Sequence, residues 1–166
     1  MNLLIVSFNV ILIGIGATLL IDLCAVLLKK IFNIPTLNYA VVGRWVLIFL
    51  YSGKFKHQNI QQAPPQNFEH AFGWTLHYLI GIIFALCFIL MVGTTWLQHP
   101  DLFSAIYFGI ATAFFPFLIM QPCLGMGFFA SKTAEPWKAR LKSLVTHTLF
   151  GIGLFLSALI YQYLLI

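Results

Sequence analysis

The chain has 166 residues, of which 61% are hydrophobic and only 8% charged, and its apolar residues come in four long runs instead of the scattered spacing of a soluble core, which places it in the membrane class. The formal net charge of +5 does not point to nucleic acid, because Lys and Arg fall between the apolar runs and no patch interleaves basic with aromatic residues in a nucleic-acid pattern. Cys24, Cys87 and Cys123 are an odd count on separate segments, so neither a disulfide framework nor a cysteine zinc motif is supported.

A helix rising about 1.5 Å per residue needs roughly 20 apolar residues to cross about 30 Å of hydrocarbon. The first run, Leu3 to Leu28, meets that length. No positive charge precedes it, and Lys29 and Lys30 follow it, so it reads as a retained helix and not as a cleavable signal. The next stretch, Tyr39 to Tyr51, is apolar but too short to span, with Arg44 and Trp45 in its middle. It is expected to be a short interfacial or re-entrant helix in the first loop, with the Arg-Trp pair as an interfacial anchor. Asn33, Pro35, Pro64 and Pro65 bracket it as breaks.

Glu69 to Val92 is the second span. The short link after it carries Trp96, which suits the interfacial belt, and His99. Leu102 to Met120 is the third span. Beyond it, Gln121 to Ala130 stays apolar but sets Gly125 and Gly127 where a helix prefers alanine, so irregular backbone packed on protein is expected. Thr133 to Pro136 resembles a helix start. Ser143 to Leu165 is the fourth span, and residues 1–166 are taken as a single transmembrane domain.

Basic residues orient these spans. Lys29, Lys30, Arg44, Lys54 and Lys56 lie in the first connection, and Lys132, Lys138, Arg140 and Lys142 lie in or beside the third. By the positive-inside rule both connections are cytoplasmic, and both termini are periplasmic or extracellular. The segments His77-Tyr78-Leu79-Ile80-Gly81-Ile82 and His147-Thr148-Leu149-Phe150-Gly151-Ile152 share a pattern, and Gly14 to Thr18 matches Gly109 to Ala113 more weakly. The spacing predicts two parallel helix-loop-helix repeats related by an axis along the membrane normal.

Three ionisable residues fall inside apolar runs. Asp22 lies seven residues before Lys29, and His147 seven after Arg140. His77 sits at a similar depth. A charge there costs about 2.5 to 3.5 kcal/mol on insertion scales, so Asp22, His77 and His147 are expected to face the interior as one polar site. His70, Glu69, Gln121 and Arg44 are supporting candidates. His57 and His99 read as solvated loop residues. The site suits proton relay, cation binding, or ligation of a haem or metal by His77 and His147; the alternative is that the same side chains only lock helix packing. Phosphate loops, His-Glu-x-x-His sites and Gly-x-Ser-x-Gly elbows are absent from the sequence, which disfavours a soluble-type hydrolase or nucleotide enzyme.

Over nearly its whole length the chain resembles a bacterial inner-membrane family known as the domain of unknown function numbered 2938. The segments that carry the likeness are Gly14 to Thr18 through Asp22, Ile34 to Tyr39 with Val42-Gly43-Arg44-Trp45, and Ala63-Pro64-Pro65. They continue with Gly73-Trp74, His77-Tyr78, Pro116-Phe117, Met120-Gln121-Pro122, and His147 with Phe150-Gly151. The resemblance implies a bacterial polytopic membrane protein and supplies no activity. The expectation is therefore an all-α, four-span protein in a bacterial inner membrane, in contact with the lipid bilayer, open to homo-oligomerisation, and with no nucleic-acid partner. Three functions compete: proton- or cation-linked permeation, cofactor binding through the histidines, and lipid chemistry with Arg44 or Lys29 and Lys30 holding the head group. A non-catalytic accessory subunit is the remaining reading, and no catalytic residue is assigned.

Overall fold

A computed structural model describes residues 3–165, and the described residues are helical with no strand. Five helices of ten residues or more follow in order: α1 (Leu3–Phe32), α2 (Tyr39–Ser52), α3 (Glu69–Val92), α4 (Leu102–Thr112) and α5 (Pro136–Leu165). Helical backbone continues past α4 through a wide π turn, Pro116–Met120, to Cys123. Four of these stretches are long and apolar enough to cross a membrane: Leu4–Phe32, Glu69–Val92, Leu102–Cys123 and Pro136–Tyr163. The chain is an all-helical, multi-pass membrane protein.

Local chemistry sets the ends. α1 extends past its apolar run through Lys29 and Lys30, since cations suit the negative end of the helix dipole. It stops where Asn33 takes a left-handed φ of 54° and Pro35 forbids continuation. Asn38 starts α2 by accepting the Ala40 N–H at 3.1 Å, an N-cap that satisfies one orphan donor. Gly53, at φ 71°, closes α2 with its N–H on the Phe49 carbonyl, a conformation that favours glycine. α5 begins at Pro136, several residues before the apolar run, because proline at the first helical position loses no hydrogen bond. The π turn lies between Pro116 and Pro122, each of which removes a backbone donor, so the Gln121 N–H reaches back to the Pro116 carbonyl instead.

The chain divides into two compact units. The first comprises Met1–Thr36, Tyr78–Thr112 and Thr146–Ile166. Its core gathers Val10, Ile13, Ala85, Phe88, Phe150 and Leu154 among others. Helices approach closely at glycines: a Cβ on Gly14 would lie 2.7 Å from Ile82 Cα, and one on Gly109 2.5 Å from the His147 carbonyl oxygen and 2.8 Å from Gly151 Cα. Such backbone contact admits no side chain on either helix. Trp96 belongs to this core at 6% exposure, with its edge on Phe88 and its Nε1–H on the Asp101 carbonyl at 3.3 Å. The interfacial-belt reading of Trp96 is therefore corrected: the Phe88 contact and the hydrogen bond satisfy ring and N–H internally.

The second unit comprises Leu37–His77 and Ala113–Val145, with a core of Val42, Trp45, Ile60, Cys123 and Leu124. Backbone hydrogen bonds from His57 N–H to the Cys123 carbonyl (2.8 Å) and from Ile60 N–H to the Leu124 carbonyl (3.2 Å) tie its loops together. The segment after Cys123 is irregular, with Gly125, Gly127, Phe129 and Ala130 all at positive φ. α2 and α3 touch at Gly43 and Gly73, where a Cβ on Gly73 would overlap the Tyr39 carbonyl oxygen.

Candidate functional site

Each of the three ionisable side chains singled out in the apolar runs meets a hydroxyl on another helix. In the first unit, Tyr78 of α3 donates its hydroxyl proton to Asp22 Oδ2 of α1 at 2.9 Å. Asp22 and Tyr78 are both half-buried, so the carboxylate is met by a charge-assisted hydrogen bond in place of water. His147 Nδ1 of α5 lies 2.7 Å from Thr112 Oγ1 of α4. The threonine proton is already committed to the Gly109 carbonyl at 2.6 Å, and a hydroxyl has one proton to give. His147 therefore carries its proton on Nδ1, and Nε2 is the basic nitrogen.

In the second unit, His77 Nε2 of α3 pairs with the Tyr39 hydroxyl at the start of α2, at 2.9 Å. The Tyr39 ring stacks on His77 with centroids 4.2 Å apart, and Trp74 meets His77 edge-on at 5.9 Å. His70, one turn earlier, is exposed and accepts the Trp74 Nε1–H at 3.3 Å. His70, Trp74 and His77 thus form an aromatic cluster on α3, with Tyr39 added from α2.

The supporting residues have specific tasks. Arg44 makes a two-pronged ion pair with Glu69, Nε to Oε2 at 2.8 Å and Nη2 to Oε1 at 2.7 Å, and its Nη1 reaches the Ala63 carbonyl at 3.0 Å. Glu69 Oε2 also accepts the Gln66 N–H at 2.8 Å. The carboxylate holds the Arg44 guanidinium above its ordinary range, the hydrogen bond outweighing burial. Trp45 is 6% exposed and donates its Nε1–H to the Phe55 carbonyl at 2.7 Å. Neither residue is an interfacial anchor: Arg44 fastens the chain between α2 and α3, and Trp45 fills the core of the second unit. Gln121 is buried, with Nε2 3.4 Å from the Ser143 hydroxyl and Oε1 without a partner among the described residues.

Two features escaped the sequence. His57 is 6% exposed, not solvated, and its Nε2 has no partner among the described residues; the hydrogen bond from its own N–H to Cys123 draws it inward, a long-range contact with no local signal. Tyr39 and Tyr78 were hidden as ordinary aromatic residues, although each begins or adjoins a segment where a polar tip beside an apolar body is useful. Among the described residues, no group of three or more His, Cys, Asp and Glu side chains is placed to hold a metal ion.

The family model described as "Protein of unknown function (DUF2938)" matches residues 11–161 of the chain. No curated protein and no solved structure matches it.

Proposed function

The chain belongs to the DUF2938 family, and from that premise we propose a multi-pass protein of a bacterial inner membrane that couples proton or cation exchange to permeation of a small solute. Asp22 is the exchanging group. The observation that carries this reading is the Tyr78 hydroxyl 2.9 Å from Asp22 Oδ2: a carboxylate within a 30-residue apolar helix is held in place by a hydrogen-bond donor on another span. A residue that only locked two helices together needs no ionisable group, and an acid in hydrocarbon is costly unless its charge is used. His147, paired with Thr112 in the same unit, is the group that passes protons on.

The distribution of Lys and Arg supports cytoplasmic first and third connections with both termini outside. Similar glycine and threonine contacts in the two halves, in shifted register, support the parallel repeat. In the first half Gly14 abuts Ile82 and Gly81, and Thr18 Oγ1 donates to the Gly14 carbonyl at 2.8 Å. In the second Gly109 abuts Gly151, and Thr112 Oγ1 donates to the Gly109 carbonyl at 2.6 Å.

The test is proton flux into liposomes carrying the purified protein and an entrapped pH-sensitive dye. Asp22→Asn is expected to abolish flux with helix content unchanged, and Tyr78→Phe to reduce it. Flux that persists undiminished in Asp22→Asn removes the proposal.

A further inference from the structure

The second unit holds an open cleft of about 360 Å³ that the Asp22 chemistry does not use. Its walls combine Ile48, Ala63 and Pro64 with Ser52, Lys54 and His57. Lys54 is the charged residue of this lining, and no carboxylate belongs to it. His57 contributes an imidazole that is 6% exposed, with an enclosed Nε2 lacking a partner among the described residues. A buried ring nitrogen left unbonded is destabilising, so a ligand that enters the cleft and turns the His57 ring gains by supplying the missing partner. Beside it, Leu50, Tyr51 and Phe55 are 63%, 79% and 44% exposed, an apolar and aromatic rim next to Lys54 and Lys56.

A single cation that lines the same cleft as a partnerless imidazole selects an anion with several acceptor oxygens, and the apolar wall and rim select one that carries a hydrocarbon body. We propose that this cleft binds the phosphate of an anionic phospholipid head group, with Lys54 Nζ pairing with the phosphate and His57 Nε2–H donating to one of its oxygens. Arg44, the residue the sequence offers first for that task, is already committed to Glu69 and the Ala63 carbonyl. The cleft follows directly on α2, where Gly53 turns the chain at φ 71° before Lys54. Basic residues beside membrane-embedded helices recognise anionic lipids through the same pairing of charge and apolar surface.

The experiment is native mass spectrometry of the full chain released from detergent, with short-chain phosphatidylglycerol, phosphatidylcholine or inorganic phosphate as probes. Retention of phosphatidylglycerol over phosphatidylcholine by about fivefold is expected, the worth of one lysine at a lipid surface. Lys54→Gln, an exposed substitution, is expected to bring the ratio close to one with thermal melting unchanged. His57→Phe keeps a ring in place but removes the nitrogen, and is expected to lower retention of phosphatidylglycerol at an unchanged ratio, because the phosphate oxygen it serves is common to both lipids. Equal retention of the two lipids by the unsubstituted chain, a ratio that Lys54→Gln does not move, or phosphatidylglycerol retention that His57→Phe leaves unchanged, overturns the proposal. Displacement of phosphatidylglycerol by equimolar inorganic phosphate overturns the lipid as the source of the phosphate. None of these outcomes depends on flux, so the site stands or falls apart from Asp22.

Discussion

Removing the Arg44 guanidinium provides a quantitative test of how the second unit is held. The side chains of Arg44 and Glu69 are only 12% and 14% exposed, and two parallel hydrogen bonds join them at 2.7 and 2.8 Å. An exposed ion pair contributes about 0.2 to 1 kcal/mol, while breaking a buried one costs about 3 to 5 kcal/mol. The pair sits nearer the buried limit, and Arg44 in addition serves the Ala63 carbonyl. Arg44→Gln is therefore expected to destabilise the fold by about 2 to 4 kcal/mol. Combined with Glu69→Gln in a double-mutant cycle, the coupling is expected at about 1.5 to 3 kcal/mol, the range for hydrogen bonds to charged groups. Arg44→Lys restores charge but has no fork to meet both carboxylate oxygens, so it is expected to recover only part of the loss. The measurement is reversible unfolding in mixed micelles, followed by the fluorescence of Trp45 and Trp74 in the same unit. A coupling below about 0.5 kcal/mol, or full recovery by lysine, refutes the assignment of Arg44 as a buried two-pronged clamp.

Other expectations follow from separate contacts. Gly73→Ala sets a methyl on the Tyr39 carbonyl; a loss of about 1 to 3 kcal/mol or more is expected in the same unfolding assay, and a neutral result would show that α2 and α3 do not cross backbone to backbone. Asn9 is wholly buried, with neither amide atom partnered among the described residues, so Asn9→Leu is expected to leave stability unchanged or raise it by up to about 3 kcal/mol; a clear loss of stability would count against the burial. Asp101 caps α4 through the Ser104 N–H at 2.7 Å and the Ser104 hydroxyl at 2.6 Å, and these bonds hold its carboxyl below the usual range. A depressed carboxyl stabilises the fold above its unfolded pKa and loses that contribution as pH falls through the folded value. Melting temperature is therefore expected to drop as the medium is acidified below about pH 4, less so in Asp101→Asn, whose amide oxygen still caps; equal acid sensitivity in the two proteins would contradict this role.

The length of a helix in hydrocarbon depends on the run of apolar residues that composes it, so the four candidate spans were legible from the chain alone. Gly14, Gly81, Gly109 and Gly151 were legible as members of repeated segments, but that one helix admits another's backbone there came only from the packing. Helix ends were less so, because Asn33, Pro136 and the π turn between Pro116 and Pro122 decide them through hydrogen bonds that reach beyond the apolar runs. Three burials were misread for one cause. Trp45, His57 and Trp96 sit in or beside connections, where sequence predicts exposure, but the Phe55, Cys123 and Asp101 backbone groups that bind them lie farther along the chain.

Depth along a helix could be counted from the flanking charges, and it singled out Asp22, His77 and His147. Their hydroxyl partners could not be counted, because rotation about each helix axis and the angle at which helices cross select which side chains meet. Composition and periodicity thus determined that this protein enters a bilayer and which residues are expensive there. Only the packing of one helix on another decided that Tyr78, Tyr39 and Thr112 offset that expense, since a hydrogen bond needs its two groups within about 3 Å and no one-dimensional pattern carries that distance.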